Sequence, residues 1–169
     1  GEFHFGRALR DLVNREKLDH VVYMSGAGIP LIKEEELEEA CRLLLSSRPV
    51  IYSNNTMSAD IVAFPPGSLL NLITPPEQDN ILAVALSSGT GVEHRLFPAS
   101  TGFLFDLDTP ADLLILAGSP LAGPRTRAAL QGLNLDSTRL ERVKEVLSGD
   151  YQDVVLLGRI GAPVIAKIN

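Results

Sequence analysis

Tryptophan is absent and cysteine occurs once, at Cys41, in a chain of 169 residues. A single thiol can form neither an internal disulfide nor a thiolate cluster, so disulfide scaffolds and cysteine-rich zinc folds are excluded, and the composition fits a reducing cytoplasm. His4, His20 and His94 stand apart without i, i+4 pairing or a cysteine partner, which argues against zinc. Positive charge is also scarce. The 15 Lys and Arg against 21 Asp and Glu leave a formal net charge of −6 with no basic cluster, so no surface for nucleic acid or anionic lipid is expected. No apolar run approaches the roughly 20 residues of a membrane span. The stretch Gly1-Glu2-Phe3-His4-Phe5-Gly6 lacks the basic start and long apolar run of a secretion signal. Ser87 and Ser88 lack a G-x-S-x-G setting, which leaves a serine hydrolase without support.

What the chain does have is 45% apolar residues, enough to bury one substantial core. Apolar spacing predicts a helix over residues 7 to 17, then a buried strand at His20-Val21-Val22-Tyr23-Met24. The next predicted helix carries Glu34, Glu35 and Glu36 in its first turn, where the helix dipole favours acids. Its apolar face holds Leu37, Ala40, Leu44, Leu45 and Cys41, the last read as a small core residue. Pro49 to Tyr52 and Asp60 to Phe64 read as strands, Asn80 to Leu86 as a helix, Ser87 to Gly91 as a loop and Gly102 to Leu107 as another strand. After the break at 119 to 124, a short helix is expected over 125 to 133. A second follows, capped by Thr138 with Glu141, and then a strand at Asp153 to Gly158. Alternating strands and helices predict an α/β fold with a largely parallel sheet. Residues 1–118 would form its core and residues 119–169 a C-terminal extension packed on it.

In such sheets ligands gather beyond the carboxyl ends of strands. Asp106 and Asp108 close the apolar run 102 to 107 at such a place. Thr109, Pro110 and Asp112 are explained by helix capping alone, whereas the two acids before them are not. Hard cations such as magnesium take carboxylate oxygens and few protein ligands when phosphates supply the rest, which suits Asp106 and Asp108; solvated acids at a strand end are the alternative. Gly26 and Gly28 follow a strand and can bring backbone N–H groups to a phosphate, or form an ordinary turn. Asn54 and Asn55 offer amides to a base or sugar, and Asp60 a metal or hydroxyl contact, although these residue types also make turns for local reasons. Gly158-Arg159-Ile160-Gly161 has the form of an anion cradle or a surface turn.

The stretch Phe105-Asp106-Leu107-Asp108-Thr109-Pro110-Ala111-Asp112-Leu113 resembles the late D-x-D-T-P-x-D-L motif of nucleotidyltransferases related to molybdenum-cofactor guanylyltransferase and 2-phospho-L-lactate guanylyltransferase. Tyr23 to Ile32, followed by an acidic helix, is similar to their middle motif, in which a strand ends in D-x-P-L-L. The resemblance covers residues 6 to 117. It implies a three-layer, Rossmann-like α/β sandwich and magnesium-dependent transfer of a nucleoside monophosphate from an NTP to a small-molecule acceptor, with release of pyrophosphate. By the same resemblance Asp108 matches a position that binds a second metal. Gly28 stands where the middle motif has its aspartate, and the N-terminal phosphate loop L-A-G-G-x-x-x-R-M has no counterpart. The matched region is thus expected to be the second half of such a domain. A non-catalytic binding or assembly module on the same fold is the rival expectation.

Overall fold

A computed structural model describes residues 2–26, 28–46, 48–150, 153 and 155. The chain falls into two compact units, Gly1–Thr109 and Pro110–Asn169.

The first unit opens with α1 (Phe5–Glu16), whose His4 cap accepts the Arg7 amide through Nδ1 at 3.4 Å. It continues through β1 (Val21–Met24), α2 (Glu34–Leu44), β2 (Ile51–Ser53), β3 (Ile61–Phe64), a 3-10 turn (Gly67–Asn71), α3 (Leu82–Thr90), β4 (His94–Leu96) and α4 (Thr101–Leu104). The four strands form one sheet in the order β1-β3-β2-β4. The fold is α/β as expected, but the sheet is mixed where a largely parallel one was predicted. β3 runs antiparallel to both β1 and β2, and only β2 and β4 are parallel. Connection length explains this. Residues 54–60 between β2 and β3 are too few for a parallel crossover, which needs about a dozen residues, whereas the path from β2 to β4 passes through α3.

Both faces of the sheet are covered because its strands carry apolar side chains in both directions. Val62 and Phe64 point to a core shared with Val13 of α1 and Leu82, Ala83 and Leu86 of α3. Ile61 and Ala63 point to the opposite core, with Ala40 and Leu44 of α2, Phe97 and Phe103. Every residue of β3 is fully buried, and each large side chain there stabilises the unit by about 2 kcal/mol.

Three local expectations are corrected. The apolar run 102 to 107 is not a strand: its first residues form α4, and Asp106 follows in irregular chain. Ser100 explains the difference, since its Oγ accepts the Phe103 amide at 3.1 Å and donates to the Glu36 carboxylate, fixing a helical turn. The stretch 87–91 is no loop either. α3 runs to Thr90 because the Ser87 and Thr90 hydroxyls donate back to the carbonyls of Val84 and Leu86, and Gly91 with φ 70° supplies the left-handed cap. Cys41 and Leu45 are exposed rather than part of the core, α2 turning Ala40 and Leu44 inward and ending before Leu45.

The second unit contains α5 (Pro110–Ala117), α6 (Pro124–Gln131) and α7 (Thr138–Ser148). Proline opens α5 and α6, as its fixed φ favours at a first helical position. Thr138 is the first residue of α7 rather than its cap. Asp136 Oδ1 accepts from both the amide and the hydroxyl of Thr138, at 3.0 and 2.6 Å, which draws that side chain away from Glu141. The strand predicted at Asp153 to Gly158 and the turn at Gly158 to Gly161 lie outside the described residues apart from 153 and 155. Among the described residues no helix is long and apolar enough to cross a membrane.

Candidate functional site

Three of the residues singled out from the sequence, Gly28, Asn54 and Asp60, are tied together where β1 ends and β3 begins, and Asp106 lies near enough to feel the Asp60 charge. The Ser25 amide donates to the Asp60 carbonyl at 2.8 Å, continuing the β1–β3 pairing past Met24. The Ser25 hydroxyl accepts the Gly28 amide at 3.0 Å and lies 3.5 Å from Asp60 Oδ1. Gly28 is buried, and a Cβ there would meet Asp60 Oδ1 and Ser25 Oγ and stand 2.6 Å from Asp60 Cβ. Only glycine allows this approach of backbone to carboxylate. Gly26 differs: it is exposed, with open space around it.

Asn54 organises the β2–β3 loop from inside. Its Oδ1 accepts the amides of Asp60 at 2.9 Å and Ile61 at 3.3 Å. Its Nδ2 donates to the Phe103 carbonyl at 3.1 Å and to Asp60 Oδ2 at 3.4 Å. Both lone pairs and both protons of the amide are thus used within the chain, which is how a buried polar group is normally satisfied. Asn55 is exposed and closes a tight turn, Oδ1 accepting from Met57 N at 3.0 Å and more weakly from Ser58 N at 3.4 Å.

Asp106 is half-buried, and its Oδ1 accepts the Leu107 amide at 2.7 Å. Burial, then the charge of Asp60, then hydrogen bonding and repulsion from Asp108 push its carboxyl up to about 6, against the Leu107 amide, which favours the ionised form. Asp108 is exposed and hydrogen-bonds Asp106. Asp106 therefore feels the charge of Asp60, the last residue before β3, as well as that of its neighbour in sequence. Neither Asp60 nor Asp106 makes an ion pair among the described residues.

A second polar link went unseen in the sequence. Ser53, fully buried at the end of β2, donates its hydroxyl to the Asn55 carbonyl at 2.7 Å and lies 2.7 Å from His94 Nε2. With the hydroxyl proton committed to Asn55, Nε2 carries the imidazole proton and donates to Ser53. Burial holds the His94 pKa below its ordinary value, favouring this neutral ring. Nothing in the spacing announced the pair, because the parallel β2–β4 pairing alone brings it together.

The donor atoms gathered here are carboxylate, amide and hydroxyl oxygens, suited to a hard cation. Among the described residues no group of three or more His, Cys, Asp or Glu side chains is placed to hold a metal by itself. Two carboxylates with phosphate oxygens and water completing the shell is the arrangement magnesium usually takes with nucleotides, and Asp60 with Asp106 fits that pattern. No protein-family model matches the chain, and no curated protein matches it.

Proposed function

We propose that the Gly1–Thr109 unit is a nucleotidyltransferase-like, three-layer Rossmann-like sandwich that binds an NTP with magnesium and transfers its nucleoside monophosphate to a small acceptor. The observation that carries this reading is the packing of the Asp60 carboxylate against Gly28, with Asp106 near enough to feel its charge. The resemblance in sequence puts a carboxylate at position 28, and the Asp60 carboxylate fills the space a side chain there would need. A second acid, Asp106, lies within reach of its charge. Helices packed on both faces of the sheet support the layered architecture.

Asp60 and Asp106 would hold the ion. Magnesium, when bound, offsets phosphate charge and polarises the phosphorus–oxygen bonds. An acceptor oxygen forms a bond to the α-phosphorus as the bond to the β-phosphate oxygen breaks, and pyrophosphate leaves with that electron pair. Asn54 keeps Asp60 in place, while the exposed Gly26 and Asn55 are free to meet nucleotide or acceptor at the rim. Asp108, exposed and hydrogen-bonded to Asp106, would stand beside the ion as a third acid. Calorimetric titration of the full chain with an NTP tests the reading. Binding that requires magnesium and is lost in both Asp60→Asn and Asp106→Asn supports it; magnesium-independent binding, or none, overturns it.

The rival is a non-catalytic binding module on the same fold. It is favoured by the full use of the Asn54 amide inside the chain, which leaves that group nothing to offer a substrate. Magnesium-dependent NTP binding without pyrophosphate release in the presence of candidate acceptors would select it.

A further inference from the structure

β1 also presents Tyr23 to a cleft of 570 Å³ walled by α1 and by residues 77–79. Such a volume is in the range of small-molecule sites. The walls are chemically divided. On one side lie Phe5, Leu9 and Leu12 of α1, with the Phe5 and Tyr23 rings meeting edge to face at 5.0 Å and 63°. On the other lie Glu77 and Asp79. The Tyr23 hydroxyl donates to Asp79 Oδ2 at 2.6 Å and the Asn80 amide to Oδ1 at 3.0 Å, so the Asp79 carboxylate is held in one orientation.

Among the described residues no cation pairs with these two acids. Arg7 and His4 line a neighbouring hollow together with Glu77, yet neither Glu77 nor Asp79 makes an ion pair among the described residues. Leu12 is 42% exposed, an apolar wall open to water beside unneutralised carboxylates. Charge complementarity and the aromatic faces together specify the missing group. A protonated amine gains from a carboxylate and from the ring faces alike, while an anion is repelled and a neutral polar molecule gains little from either.

We propose that this cleft binds a small organic cation, its aryl or alkyl body against Phe5, Leu9 and Tyr23 and its protonated nitrogen facing Asp79 and Glu77. Tyr23 is the pivot, since its ring forms part of the apolar wall while its hydroxyl fixes the acid. The site shares neither carboxylate with the proposed nucleotide site, so either can stand without the other.

The test is calorimetric titration of the full chain with phenethylamine, against 2-phenylethanol and 3-phenylpropionate as neutral and anionic bodies of similar shape. Phenethylamine should bind at least about tenfold more tightly than the alcohol, with the acid weakest. Asp79→Asn should remove most of that advantage and leave the alcohol unchanged. Glu77→Gln, at an exposed position with no ion pair to lose, should reduce it without disturbing the fold, and it serves if the first variant unfolds. Equal affinity for amine and alcohol, no saturable amine binding, or an amine advantage untouched in both folded variants overturns the proposal.

Discussion

The Asn54 side chain donates to the Phe103 carbonyl at 3.1 Å, joining the loop that leads to Asp60 with the turn that leads to Asp106. Through this one amide, the positions of two acids 46 residues apart in sequence depend on each other. The link is buried, so water cannot replace it when it is lost.

Asn54→Ala should therefore destabilise the protein by about 2 to 3 kcal/mol, because it strands the Phe103 carbonyl and the Asp60 and Ile61 amides without partners. Urea unfolding measures it. A loss below about 0.5 kcal/mol, the usual size of a surface change, would mean that the loop is held by other contacts.

Gly28→Ala should cost about 1 to 3 kcal/mol, since the added methyl meets the Asp60 carboxylate and the Ser25 hydroxyl. Pairing it with Asp60→Gly should recover part of the loss, because the second change vacates the space the methyl needs. Thermal melting of the two single variants and the double variant gives the coupling. Strict additivity would show that residues 28 and 60 do not compete for one volume.

The legible parts of the fold were those where local pattern and tertiary setting agree. β3 was readable because Ile61 to Phe64 is a short apolar run stopped by Pro65 and Pro66, and α2 because its acids sit in the first turn. Gly102 to Leu107 misled because so short an apolar run fits a strand or a helical turn equally well. The decision came from Glu36, 64 residues from its hydrogen-bond partner Ser100. For the site, Asp60, Asp106 and Gly28 were visible as residue types that chemistry uses. The approach of Asp60 to Gly28 was not, since it depends on antiparallel pairing of β1 with β3, and the sequence pattern had suggested parallel strands.

Cys41 should react with a thiol reagent in the native protein at a rate near that of an unfolded chain, because α2 leaves it exposed. Measured absorbance release on adding an aromatic disulfide reports the rate. Protection that disappears only on adding denaturant would restore the buried position first expected from the helical pattern.

The acid pair makes stability depend on pH with a sign that can be worked out. In the unfolded chain Asp106 titrates near its ordinary value of 3.8, whereas in the folded protein burial and Asp60 hold it up to about 6. Between these values the unfolded chain has released the proton and the folded one retains it, so stability falls as pH rises through this window and stays lower above it. Asp106→Asn cannot ionise and escapes that loss. It should be more stable than the parent by about 1 kcal/mol near neutral pH, less than the full shift implies because water reaches the carboxyl. At about pH 4 the advantage should vanish. Urea unfolding at both pH values checks it, and adding magnesium near neutral pH should stabilise the parent more than the variant if the ion relieves the same repulsion. An equal difference between parent and variant at the two pH values would show that Asp106 does not carry the raised proton affinity on which its pairing with Asp60 rests.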